Sequence, residues 1–117
     1  MIGESTKRHE AHEVLRGTLD LLVLRVLSLA PLHSWGIGQE LRRLSGGSLC
    51  ISQGTLHPAL QRLEVKGCLI ADWQITEHRR QARYYRLSTV GKRALDAELA
   101  EWQSYVAVVE RVLNTYR

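Results

Sequence analysis

Cysteine and proline are scarce in this chain, with two of each among 117 residues. Cys50 and Cys68 form no CxxC pair and no metal-ligand spacing. A disulfide framework and a zinc site are therefore unsupported, and two buried, reduced thiols are expected. Long apolar runs are also missing. Residues 14–32 come nearest, but Arg16, Asp20 and Arg25 interrupt them, which argues against a membrane span. The charged start of the chain meets no uninterrupted apolar segment, so no signal peptide is expected. No phosphate-cradling glycine loop, HExxH or GxSxG occurs, and acids are not paired in a plausible cleft. Neither an enzyme nor a cofactor is expected. His9 and His12 could share a helix face, but without further clustered ligands they do not make a metal site.

Positive charge is present and unevenly spread. The chain carries a net +4, while residues 52–93 alone hold eight Lys or Arg against three Asp or Glu. Such clustering suits a polyanionic partner. The competing reading is a basic surface that is merely solvated.

The chain is long enough for one domain with a small core, or a small domain plus one long helix. Residues 1–10 are polar and form an N-terminal arm. From about residue 11 the pattern is helical, with Leu15, Leu19, Leu22, Val23, Val26 and Leu27 at three- and four-residue steps. Leu21, Leu24 and Leu29 widen the apolar surface almost all round, as in a helix buried on more than one side. Gly17 moves the expected start toward Thr18, and Pro31 ends the segment. A second helix is expected over 35–44, capped by Ser34, with Ile37, Leu41 and Leu44 inward. Trp35 is expected to pack, and Gly46-Gly47 to stop the helix.

Residues 52–64, Ser-Gln-Gly-Thr-Leu-His-Pro-Ala-Leu-Gln-Arg-Leu-Glu, form a third short amphipathic helix. Leu56, Leu60 and Leu63 face a core. Gln53, Thr55, His57, Gln61 and Arg62 make the polar side. Pro58 removes one helix bond, to Gly54, and Gly67 closes the segment. Two strand-like runs follow, 69–75 and 83–88, with Leu69, Ala71, Trp73 and Ile75 alternating toward the core. Between them lies Glu77-His78-Arg79-Arg80-Gln81. The turn lacks Gly and Asn, so a loose, Arg-tipped loop is expected. Arg83 and Arg86 lie on the return strand.

A helix feeding a hairpin with a cationic tip is the layout of a winged helix-turn-helix. Gln can pair with adenine, Thr can touch a thymine methyl, and Arg or His can meet guanine or phosphate. Guanidinium groups suit phosphate and the narrow minor groove. The DNA-facing candidates are thus Gln53, Thr55, His57, Gln61, Arg62, Arg79, Arg80 and Arg83. The alternatives are a wet polar helix face and a turn kept soluble by charge.

Ser88 or Thr89 caps a final helix. Its apolar positions Leu95, Leu99, Trp102, Val106, Val109, Leu113 and Tyr116 step 4-3-4-3-4-3. That is a seam of 3.5-residue period, and the small domain has little surface left to cover it. A partner helix from a second copy is expected; the alternative is docking on the chain's own first helix, or some of both. Trp102 is bulky for such a seam. Two copies across a two-fold axis could frame a cavity for a flat aromatic ligand, or the indoles could simply fill the interface.

The sequence resembles the PadR family of bacterial transcriptional regulators over about residues 14–113. The resemblance is carried by Arg16-Gly17-Thr18-Leu19-Asp20-Leu21-Leu22-Val23-Leu24, Gly36-Ile37, and Gly54-Thr55-Leu56-His57-Pro58-Ala59-Leu60-Gln61-Arg62-Leu63-Glu64. Arg83-Tyr84-Tyr85-Arg86-Leu87-Ser88 with Gly91 completes it. It implies a homodimeric winged-helix repressor of the compact subgroup, in some members of which a tryptophan at the position of Trp102 lines an interfacial ligand pocket; the reduced thiols go with a cytoplasmic protein. His57 stands where the family usually has Tyr, and Ser34-Trp35 replaces Gly-Tyr.

The expectation is a mainly α fold with a small β-hairpin: an arm over 1–10, a winged helix-turn-helix over 11–88 and a dimerisation helix over 89–117. The expected partners are an inverted-repeat DNA duplex, a second copy and a small aromatic effector. The other function classes are a winged-helix module that docks protein, and a metal-responsive regulator using Cys50, Cys68 and a histidine.

Overall fold

The computed structural model describes residues 9–10 and 16–115. The elements are β1 (His9–Glu10), α1 (Arg16–Leu29), β2 (Leu32–His33), α2 (Ser34–Leu44), β3 (Leu49–Cys50), α3 (Gln53–Val65), β4 (Leu69–Ile75), β5 (Gln81–Leu87) and α4 (Thr89–Leu113). The helix starts at Arg16, so Gly17 sits within its first turn, and Pro31 follows its end. The apolar periodicity of α1 is used almost completely: Leu19, Leu21, Val23, Leu24, Val26 and Leu27 are all buried. They meet Ile37 and Leu41 of α2, Leu56, Ala59, Leu60 and Leu63 of α3, and Leu69, Tyr85 and Leu87 of the hairpin. Each such leucine adds roughly 1.5–3 kcal/mol when fully removed from water.

Strands β4 and β5 pair antiparallel from Leu69↔Leu87 to Ile75↔Gln81. A third strand, β2, adds to β5 through Leu32↔Tyr85 and His33↔Tyr84. Two-residue strands carry no period, so neither β2 nor the parallel β1–β3 bridge was expected.

His33, not Ser34, caps α2, its Nδ1 accepting the Gly36 N–H at 3.0 Å. The helix begins one residue earlier than expected, which frees the buried Ser34 hydroxyl to donate to Gln53 Oε1. Gln53 Nε2 returns a bond to the Ser34 carbonyl at 3.3 Å. This exchange ties α2 to the first residue of α3. Trp35, expected to pack, and Leu44, expected inward, are exposed: Trp35 lies on the outer side of α2, opposite Ile37, and Leu44 at its end, beyond Leu41, the last buried residue.

Ser88 does cap α4, accepting the Gly91 N–H at 3.0 Å. Gly91 is buried against the start of the hairpin, where an added Cβ would come within 2.1 Å of the Cys68 carbonyl oxygen. From there α4 leaves the body. Leu95 is its last buried apolar residue, and the structure measures 60 × 35 × 21 Å. Among the described residues no helix is long and apolar enough to cross a membrane.

Candidate nucleic-acid interface

One side of α3 is closed. Leu56, Ala59, Leu60 and Leu63 are buried, and the opposite ridge of Gly54, His57, Pro58, Gln61 and Val65 is exposed. Pro58 falls on that outer ridge, so the helix passes through it unbroken from Gln53 to Val65. His57 and Gln61 are free to meet a ligand. Thr55 is half-buried, with its hydroxyl 3.1 Å from that of Ser52. Ser52 makes no side-chain cap bond.

Three of the residues expected to face DNA are engaged within the chain. Gln53 is held by Ser34. Arg62 turns inward, its Nη2 donating to buried Asp20 Oδ1 on α1 at 2.9 Å. Arg83 donates to both carboxylate oxygens of Glu64, at 3.0 and 2.8 Å, with its guanidinium 5.9 Å from the Tyr85 ring centroid. Arg86 lies 3.7 Å from Asp72. The positive charge counted in sequence is therefore partly neutralised at short range; Arg79 and Arg80 at the hairpin tip stay exposed, as do Lys66, Lys92 and Arg93.

That tip is tighter than expected. Arg79 takes a left-handed conformation, φ 60°, the place a Gly or Asn usually fills in a three-residue hairpin loop. The Arg79 N–H donates to the Thr76 carbonyl at 2.9 Å, and the Thr76 N–H to the Arg80 carbonyl at 2.8 Å. The Thr76 hydroxyl accepts from the N–H groups of His78 and Arg80 at 3.2 and 3.3 Å. A threonine at the loop start supplies the order that glycine would otherwise allow. Arg79 and Arg80 are left exposed at the end of the ribbon, beyond the body of the domain.

The outer side of α2 also borders the start of α3, which the sequence pattern did not show. Trp35, Gln39 and Arg42 recur at helical spacing on its exposed side, next to Ser52 and Gln53, and line an open groove of about 360 Å³. The spacing is legible in sequence, where the apolar face of Ile37, Leu41 and Leu44 dominates the pattern.

A second groove, about 770 Å³, runs between α1 and α4 and is lined by Thr18, Asp20, Leu21, Lys66, Glu98, Glu101, Trp102 and Tyr105. The Trp102 and Tyr105 ring centroids are 6.3 Å apart. Burial raises the Glu98 carboxyl above its ordinary range, and the negative charge of Asp20 adds to this against the pull of Lys66. Burial likewise pushes up the Cys68 thiol, helped by Glu98. Of the seam, Leu95 belongs to the chain's own core. Val106 and Val109 are half-buried, and Leu99, Trp102 and Leu113 are exposed. Tyr116 lies outside the described residues, as does His12. Cys50 and Cys68 are both free, and among the described residues no three His, Cys, Asp or Glu side chains converge where they could hold a metal.

Three core helices, a hairpin beyond the third and a bare outer ridge on that third helix make a winged helix-turn-helix. The profile of the Transcriptional regulator PadR-like family matches residues 23–97. The chain belongs to the PadR family. It is 32% identical over 83 residues to a transcriptional regulator of Mycobacterium tuberculosis, covering 71% of this chain and 74% of that one. A PadR family transcriptional regulator from Eggerthella lenta has the same fold, with a TM-score of 0.77 and 30% identity over 90% of this chain and 89% of that one. A transcriptional regulator from Clostridium thermocellum superposes with a TM-score of 0.77 at 24% identity, over 85% of this chain and 96% of that one. This PadR protein is a DNA-binding transcriptional regulator, not an enzyme.

Proposed function

We propose that this PadR protein is a homodimeric, cytoplasmic repressor that binds an inverted-repeat operator and is released by a small aromatic ligand. The reading is carried by the outer ridge of α3, where His57 and Gln61 are exposed, and by a wing tip whose exposed Arg79 and Arg80 form no ion pair among the described residues. In each protomer α3 enters a major groove. His57, Gln61 and Thr55 meet base edges, and Arg79 and Arg80 meet phosphate. Gln53, Arg62 and Arg83, held by Ser34, Asp20 and Glu64, set the angle of the helix and the wing.

The seam from Leu99 to Leu113, with Leu99, Trp102 and Leu113 exposed, supports pairing with a second copy, since exposed apolar side chains along one stripe cost solubility unless covered. Two-fold pairing calls for half-sites roughly one helical turn apart. The groove beside Trp102 supports an aromatic effector, because it joins an indole and a phenol ring to a partly apolar floor. Repression is what the family resemblance implies.

Selection of bound sequences from random DNA tests the core of this reading. A recovered palindrome is expected; recovery of no preferred sequence would refute it. Titration with planar aromatic compounds while following tryptophan emission tests the effector. Quenching that is lost in Trp102→Ala is expected, and quenching unchanged in that variant would reject the site.

A further inference from the structure

Trp73 was expected in the core, and it is 67% exposed. The alternation itself holds, because Leu69 and Ala71 on the same face are buried or half-buried. The hairpin simply outruns the domain: by Trp73 and Ile75 the inward face has passed the edge of the core. Ile75 is 71% exposed, and Val65, at the end of α3, is 82% exposed. Trp73 pairs with Arg83, and Arg83 on that same face reaches across to Glu64 of α3. The apolar face of the wing therefore looks toward the end of the recognition helix. Its tip carries Arg79 and Arg80.

A large, solvated indole is costly to keep in water, and it sits between two parts of one binding surface. We infer that Trp73 and Ile75 dock on the sugar–phosphate backbone of the duplex, on the strand that separates the groove entered by α3 from the groove reached by the wing tip. This rests on the DNA-binding reading above. Deoxyribose offers apolar carbons to the indole face and to Ile75. A phosphate oxygen accepts from the indole N–H, the only polar atom of the side chain. Charge selects this occupant. At the tip Arg79 and Arg80 outnumber Glu77 and draw the wing to a polyanion, while Glu64 and Asp72 are matched by Arg83 and Arg86. The contact reads no sequence; it sets how deep the wing sits.

The test is a salt titration of binding to a random-sequence duplex of about three helical turns, for wild type, Trp73→Ala, Trp73→Phe and the Arg79→Ala/Arg80→Ala pair. The surface position of Trp73 makes folding of its variants the expected outcome, and equal thermal midpoints verify it. Trp73→Ala is expected to weaken binding about tenfold at every salt concentration with an unchanged log–log slope, because it removes no cation. Trp73→Phe falls between, and the arginine pair lowers the slope. Unchanged affinity in Trp73→Ala, or a slope reduced as in the arginine pair, overturns the inference while leaving DNA binding intact. Loss of self-association in Trp73→Ala, measured by sedimentation, assigns the strip to a second copy and also overturns it. A wild-type protein that binds no duplex overturns both this inference and the reading on which it rests.

Discussion

Arg62 on the recognition helix reaches back 2.9 Å to the carboxylate of Asp20, which is buried on α1. The two are 42 residues apart, and the Arg62 Nε is buried without a partner of its own. The pair adds a polar tie to α1 for a helix whose inward side is set by the buried Leu56, Ala59, Leu60 and Leu63. Removing one partner leaves an uncompensated charge in a half-buried site. Asp20→Ala and Arg62→Ala are each expected to lower stability by about 2 kcal/mol, less than for a fully buried pair. Replacing both with apolar residues of similar size, Asp20→Leu with Arg62→Met, should recover most of that loss. Denaturant midpoints at constant m value measure it.

Arg79 serves the turn and the ligand in separable ways. Its left-handed backbone suits glycine better than arginine. Arg79→Gly is expected to leave thermal stability equal or slightly higher, and to lower the salt slope of DNA binding by about 0.9 for one lost phosphate contact. Arg79→Val, with a β-branched residue forced to the same φ, should lower the melting temperature as well.

Gly91 has no room to grow. The Cβ of alanine would sit 2.1 Å from the Cys68 carbonyl oxygen, which also accepts the Ser88 N–H at 3.0 Å. Either α4 or the start of β4 must shift. Gly91→Ala is expected to cost about 3 kcal/mol, and urea unfolding would register it.

The seam makes a prediction about assembly. Val109→Glu places a charge on the stripe that follows Trp102 and should convert a dimer to monomer at micromolar concentration, as read by sedimentation velocity. A variant that stays dimeric would move the interface elsewhere on the molecule. Some loss of helix signal should accompany dissociation, because α4 beyond Leu95 has little packing within its own chain.

Glu98 gives a pH dependence of determined sign. Its folded pKa is raised by burial and then by Asp20, so folding favours the protonated form. A raised pKa contributes stability below the unfolded value, and that contribution is lost as pH rises through the folded value. Glu98→Gln is therefore expected to raise the melting temperature at neutral pH, with the gain shrinking as pH falls toward the ordinary carboxylate range. An equal gain at pH 4 and pH 7 would contradict the burial argument.

Much of the fold was legible because helices of this length repeat their apolar residues many times. Leu19 to Leu27 in α1 and Leu56, Leu60 and Leu63 in α3 announce their buried sides by spacing alone. Ser88 and Gly67 mark ends by chemistry that acts within a few residues. His33 was missed as a cap because Ser34 offers the commoner chemistry one place later. The tight turn at Arg79 was missed because its order comes from the Thr76 hydroxyl, not from a residue that favours a left-handed backbone. Trp73 shows a different limit: alternation reports which face a side chain takes, but not where along the strand the core ends.

The charge count illustrates the division most directly. Sequence alone determined that basic residues gather between 52 and 93, that the third helix is amphipathic and that α4 bears a heptad stripe, because composition and period are local properties. Only the tertiary structure decided that Arg62, Arg83 and Arg86 answer Asp20, Glu64 and Asp72, while Arg79 and Arg80 stay exposed with no ion pair among the described residues. Ion pairing falls off within a few ångströms, and the distance between residues far apart in the chain is set by packing, which no local pattern encodes.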